Sequence, residues 1–205
     1  QYVAWSHSLP VESVAFCATS DPEGNVYVVG WERRVNGAGK RWRVEKRARD
    51  DGRLLYVYNQ ELSLGDDVAQ AVAYDPGGFL VVGGWSNVSA TDWRWQVQKI
   101  DIKMNPWVKV WDYTENFGNS AKVLSVAVNG DGTIYAGGFG YPDGVRIERL
   151  NTNSGSLKLE WARNPRKLMG EGNWSASCES AGVWGIAADR EGSAYGAYPT
   201  GIPGG

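Results

Sequence analysis

The stretch 72–85, VAYDPGGFLVVGGW, reads as two short apolar strands joined by a polar, glycine-bearing turn, and the chain repeats this pattern four times. The copies are SVAFCATSDPEGNVYVVGW (13–31), VAQAVAYDPGGFLVVGGW (68–85), VLSVAVNGDGTIYAGGF (123–139) and GVWGIAADREGSAYGAY (182–198). Their turn glycines, Gly24, Gly78, Gly132 and Gly192, stand 54, 54 and 60 residues apart. Self-similarity at this period, with several strands in each unit, restricts the chain to radial or stacked repeat architectures.

Each unit runs on into a third strand, RWRVEKRA (41–48), WRWQVQKID (93–101) and VRIERLN (145–151). Trp42, Val44 and Lys46 recur as Trp95, Val97 and Lys99, and again as Val145, Ile147 and Arg149. Residues two apart share a face of a strand, so Trp42 and Val44 are expected on the packed side and Arg41, Arg43 and Glu45 are expected to point outward. Turns at Asp51-Gly52, Asn105-Pro106 and Ser154-Gly155 lead to fourth strands LLYVY (54–58), WVKVW (107–111) and LKLEW (157–161). A further copy of that last strand is QYVAW at residues 1–5, with Trp5 in register with Tyr58, Trp111 and Trp161.

This order predicts an all-β, four-bladed β-propeller that is circularly permuted, its N-terminal strand completing the last blade and hiding its edge. The expected boundaries are a single domain over 1–205, with blades at about 11–62, 66–115, 121–165, and 180–205 plus 1–5. The fourth unit departs from the pattern. In the second unit 17 residues separate the turn glycine from the third-strand tryptophan, and 17 beyond Gly192 is past Gly205. Either QYVAW moves inward to make a three-stranded blade, or a strand from another molecule fills the place by β-strand addition. Two chains combining into a larger ring of seven or eight blades is the architectural alternative.

The succession of a VAxD-like strand, a glycine turn, a [V/I]Y strand, a VxK or IxR strand and a tryptophan-ended strand resembles the β-propeller repeats of secreted bacterial and archaeal proteins. The resemblance covers nearly the whole chain and implies a fold; it implies no particular activity. In architecture alone the chain is also similar to the hemopexin domain, a four-bladed ring whose first and last blades are joined by a disulfide. That likeness implies a bridge between Cys17 and Cys178, worth about 5 kcal/mol in the chain-entropy picture, against the alternative of two unrelated thiols.

Composition agrees with an aromatic, turn-rich β protein: 27 glycines, 11 tryptophans and 10 tyrosines stand beside 2 methionines and 4 phenylalanines. A net charge of -2 argues against nucleic acid as a partner. No 18-residue apolar run is present, so no helical membrane insertion is expected. The start at Gln1 fits a mature secreted chain whose signal peptide has been removed, or a trimmed one. The sequons at Asn87 and Asn173 make these residues glycosylation candidates in an extracellular protein.

Signals for chemistry are sparse. His7 is the single histidine, and neither CxxC nor GxSxG occurs, so no metal site, cofactor or catalytic residue is expected. Gly37-Ala38-Gly39-Lys40 lacks the spacing of a phosphate loop and reads as a hairpin tip. The turn carboxylates Asp21, Asp75, Asp131 and Asp189 suit the hydrogen bonds of tight turns better than a calcium ring. Trp31, Trp85 and Phe139 end equivalent second strands and are the candidate platforms for stacking on sugar rings, with blade packing as the competing account. Nine of the 21 basic residues fall between Arg33 and Arg53, suited to a solvated hairpin or an acidic contact. The functional expectation is a non-catalytic extracellular structural protein that self-associates, into filaments or a surface layer, through the incomplete blade and the termini. A glycan-binding propeller is the alternative, and a polysaccharide-active enzyme ranks below both.

Overall fold

The computed structural model describes residues 5–8, 11–35, 37–89, 91–116, 120–140, 144–151, 158–163, 185–189 and 193–197. They form an all-β protein, with fourteen strands and no helix among the described residues. The first antiparallel sheet runs β1 (Ser13–Ser20), β2 (Val26–Arg33), β3 (Lys40–Arg47) and β4 (Leu54–Gln60) in chain order. The second repeats it with β5 (Asp67–Asp75), β6 (Phe79–Ser89), β7 (Asp92–Asp101) and β8 (Val108–Glu115). The third comprises β9 (Ala121–Val128), β10 (Ile134–Gly140), β11 (Gly144–Asn151) and β12 (Lys158–Arg163). A two-stranded sheet of β13 (Gly185–Ala188) and β14 (Ala194–Ala197) follows.

The first strands lie side by side through the molecule: β5 packs against β1, β2 and β3, β9 against β5, β6 and β7, and β13 against β9 and β10. The apolar clusters sit between successive sheets. Tyr27, Val29, Trp42 and Val44 meet Ala69, Val72, Leu80 and Val82 between the first and second. Ala71, Val81, Trp95 and Val97 meet Val123, Val126, Ile134 and Ala136 between the second and third. Val81 and Val82 are neighbours on one strand yet belong to different clusters, because successive side chains point to opposite faces. A sheet buried on both faces needs an unbroken apolar run, which is what FLVVGG supplies.

Irregularities recur at the period of the sequence. An extra residue bulges from the first strand at Phe16, Gln70 and Leu124, and from the fourth at Leu55, Val110 and Glu160. Gly24, Gly78 and Gly132 have φ of 85°, 83° and 84°, a left-handed turn conformation that glycine adopts without a Cβ penalty. Asp21 accepts from the Asn25 backbone N–H and the Tyr27 hydroxyl, and Asp75 accepts from the Gly77 N–H. The third unit keeps the expected turn carboxylate, since Asp131 Oδ1 accepts from the Thr133 N–H at 2.7 Å, and adds a second acceptor. The position 54 residues beyond Asp75 is Asn129, whose Oδ1 accepts from Asp131 and Thr133, while Asp131 is exposed within the turn itself.

Two expectations about the chain's ends meet the limits of the described residues. Of the strand 1–5, only Trp5 is described: its indole N–H donates to the Arg49 carbonyl, and its ring lies over Gly52. Cys178 lies outside the described residues. Cys17 carries a free thiol packed into the cluster between the first and second sheets, its Sγ 4.0 Å from the Val72 carbonyl. No disulfide is present among the described residues.

Candidate functional site

The sheets are joined by a knob and a socket. Gly84 of β6 faces Trp42 of β3, and a Cβ on this glycine would stand 3.0 Å from the indole and 2.1 Å from the Val68 carbonyl. The same relation recurs one sheet on, where a Cβ on Gly138 would stand 3.0 Å from Trp95 and 2.0 Å from the Lys122 carbonyl. Both indoles are fully buried, and Trp42 donates its N–H to the Trp85 carbonyl at 3.3 Å. Glycine here does not serve a special turn; it admits the close approach of the bulged first strand's carbonyl, with the neighbouring ring next beyond it. The third sheet has Val145 at the knob position, and this smaller side chain packs with Ile186 of the last sheet. By the turn-glycine alignment that sheet's sequence carries Tyr198, not glycine, at the socket position.

The socket glycine of the first sheet is Gly30. A Cβ there would meet the Val14 carbonyl at 1.8 Å and the Ala15 Cα at 3.0 Å, and Trp5 lines the cleft beside it. Ala15 is exposed, whereas its counterparts Ala69 and Val123 are fully buried, and Val14 is 41% exposed where Val68 is 3%. A cleft of ≈ 510 Å³ opens at this place, lined by Val14, Ala15, Gly30, Trp31, Arg43 and Glu45 among others.

Along the cleft the alternate face of β3 carries a closed charge network. Glu32 accepts from Arg41 and from Arg43, and Glu45 bridges Arg43 and Arg47 at 2.5 and 2.6 Å. Arg47 also donates to the Gly52 carbonyl, and Asn59 to Glu32. The counterparts of Glu45 are Gln98 and Glu148, three residues past their knobs and fully buried by the preceding sheet. Burial pushes Glu148 up to about 7, against the hydrogen bond from Arg146 that pulls it down. Elsewhere the basic stretch is equally paired: Arg34 meets the buried Asp67 at 2.8 Å, and Lys46 meets Asp21 at 3.4 Å. The basic hairpin is thus an internal ion-pair lattice, with two of its pairs reaching Asp66 and Asp67 at the start of the second sheet.

At the far end the last sheet is open in the complementary direction. Tyr27, Val81 and Tyr135 are equivalent second-strand positions and are fully buried; Tyr195, the fourth, is 61% exposed. Its hydroxyl donates to Asp189 at 3.0 Å, as that of Tyr27 does to Asp21, so the hairpin keeps the repeat's local design without its cover.

The remaining sequence candidates fall as follows. Trp31 is 8% exposed and carries Lys40 over its ring at 4.5 Å. Trp85 is half-buried and Phe139 1% exposed, and Lys122 lies between them, 4.8 and 5.9 Å from their rings and 3.7 Å from Trp93. Each of the three rings carries a lysine over its face. Asn87 is half-buried on β6, and Asn173 lies outside the described residues. His7 is exposed, 3.2 Å from the Asp51 carbonyl. No cluster able to hold a metal ion occurs among the described residues. The socket glycines escaped the sequence reading, although their 54-residue spacing, each just before the aromatic at the end of its second strand, was a usable signal.

No protein family matches the chain, and no curated protein does. Among solved structures it is similar to a chain of the Mitotic Checkpoint Complex crystal structure, a WD40 β-propeller assembly, with a TM-score of 0.50. The sequence identity is 13%, and the match covers 88% of this chain and 55% of the other. This chain therefore spans about half the length of that neighbour, and the likeness is one of fold alone. The molecule is an all-β protein of successive antiparallel sheets with a propeller-like neighbour.

Proposed function

We propose that the protein is a non-catalytic, extracellular structural protein of the β-propeller type that self-associates through its two end sheets. The observation that carries this is the pair of open faces. Val14 and Ala15 on the first sheet lack the cover that their counterparts on the second and third sheets receive, and Tyr195 on the last is 61% exposed where Tyr27 and Tyr135 are fully buried. By the repeat's own geometry the second face is built to pack on the first. Such a contact joins two different surfaces, so it either closes a ring or propagates head to tail.

The circular permutation belongs to this reading. Tyr56 and Tyr58 of β4 lie over Trp107 at the outer turn of the second sheet, with ring centroids 4.5 and 6.5 Å away. Trp5 lies over Gly52 and Arg49 at the corresponding turn of the first sheet. It thus stands where the last strand of a preceding blade stands, so in a head-to-tail contact it would serve the fourth blade of the neighbouring copy. Multi-angle light scattering across a hundredfold concentration range tests the assembly. Species larger than the 22.4 kDa chain are expected to grow with concentration, and a fixed monomer overturns the proposal.

A further inference from the structure

We infer that the seam between the second and third sheets is a pH-sensitive joint, closed while Glu148 holds a proton and loosened once that proton leaves, and that the seam between the first and second sheets is its insensitive counterpart.

The two seams are built alike. Tyr58 and Tyr113 stand opposite Val44 and Val97 in register, and each packs into the cluster between its own sheet and the next. By the same registers Gln60 and Glu115 are equivalent, opposite Trp42 and Trp95. Gln96 and Gln98 stand opposite Gly84 and Val82, as Arg146 and Glu148 stand opposite Gly138 and Ala136. Gln98 shares its face with Ile100 of the first seam's cluster, and Glu148 shares its face with Leu150 of the second's. Glu115, Arg146 and Glu148 of the second seam thus each have a glutamine at the same place in the first.

Glutamine is neutral at every pH of interest. Gln96 donates to Ser86 and accepts from Thr114, and Gln98 is fully buried. Asp112, whose charge reaches Tyr58 there, is exposed and paired with Lys109 at 2.7 Å. Glu148 is fully buried as well, but it is neutral only when protonated. Its Oε1 accepts from Arg146 at 2.6 Å, and its Oε2 is buried without a hydrogen-bond partner among the described residues. Across the seam β8 presents Tyr113 and Glu115, the hydroxyl donating to the carboxylate at 3.0 Å, while Lys99 of β7 is held by Asp75 at 2.5 Å. Loss of the proton sets two carboxylates against Arg146 inside the seam, a charge that admitting water relieves. Burial accordingly pushes Glu148 up to about 7, against the pull of Arg146 and with the help of Glu115.

The last sheet moves with the third, because the Ile186 N–H donates to Ser125 at 2.8 Å and Ile186 packs on Val145. Loosening the second seam therefore separates the first two sheets from the rest.

Hydrogen exchange of the whole chain at about pH 6 and about pH 8, corrected for the intrinsic rate, reads each sheet separately. Opening constants over β9–β11 are expected to rise about tenfold between the two, the ratio for a carboxyl at about 7 in the closed seam and 4.5 in the open one, while those over β1–β4 stay level. Glu148→Gln, which places the first seam's own residue here, is expected to abolish the rise. The parent offers a second readout that needs no variant: with isotope-labelled glutamate, one carboxyl carbon is expected to titrate near neutral pH by nuclear magnetic resonance. An equal rise in all sheets, no rise over β9–β11, a rise that survives Glu148→Gln, or no glutamate titrating near neutrality each overturns the inference.

Discussion

A methyl group added at Gly138 would fall 2.0 Å from the Lys122 carbonyl and 3.0 Å from the Trp95 ring, and neither neighbour is a flexible chain end. Gly138→Ala is therefore expected to destabilise by about 1–3 kcal/mol through overpacking. Gly130→Ala, where an added Cβ meets nothing within 4 Å, is expected to stay within about 0.5 kcal/mol of the parent. Urea unfolding of the two variants checks the contrast. Glu148 gives a second residue-scale prediction. Its carboxyl is pushed up from 4.5 to about 7 by burial, so between those values the folded chain holds a proton that the unfolded chain has released. Its contribution to stability is complete below about pH 4.5 and is lost as the pH rises through 7. Midpoints measured from pH 4.5 to 8 are expected to fall across this window, and Glu148→Gln is expected to flatten the fall. Neither effect was legible in the sequence. A glycine reads as a turn or a break until the ring above it is known, and Glu148 reads as an outward charge on VRIERLN until the preceding sheet covers it.

At the scale of the strand, sequence carried further. The first-hairpin turns and the inward side chains of Trp42 and Val44 are local properties, fixed by glycine at positive φ and by period-two side-chain direction, and they appear in the structure, whereas Glu45, expected outward, is 5% exposed because Arg43 and Arg47 close over its carboxylate. The ends of the fourth strands were less visible. LLYVY was expected to stop at residue 58 and β4 runs to Gln60, while β8 continues from the expected 111 to Glu115. Polar residues such as Asn59 and Thr114 break the apolar pattern there, and they stay in the sheet because the inner strands give them partners: Asn59 donates to Glu32 of the second strand, and Thr114 to Gln96 of the third. The third strand is also what couples one sheet to the next. Trp42→Ala removes the largest fully buried side chain between the first two sheets and is expected to cost about 3–5 kcal/mol. If the sheets are coupled mainly through this ring, the denaturation profile separates into two transitions, which fluorescence and far-ultraviolet circular dichroism report at different midpoints.

For the whole molecule the decisive property is that its two open faces differ. The first sheet offers Val14 and Ala15, and the last offers Tyr195, so the proposed contact between copies would be heterologous, each copy carrying one of each half. Charged substitutions can then be placed on the halves separately. Ala15→Arg spoils only the receiving face and Tyr195→Arg only the presenting face, and both positions are exposed, so the fold itself is little disturbed. Either variant alone is expected to be monomeric where the parent assembles. Mixed in equal amounts, they should give a dimer and nothing larger: the intact Tyr195 face of the Ala15→Arg copy meets the intact Ala15 face of the Tyr195→Arg copy, and the remaining faces are both blocked. Analytical ultracentrifugation distinguishes this from the other geometries. A symmetric contact, in which the same patch meets itself, predicts no recovery on mixing. Closure of the ring within one chain predicts monomers in every sample, parent included. Recovery limited to dimers is the outcome that only a head-to-tail assembly produces.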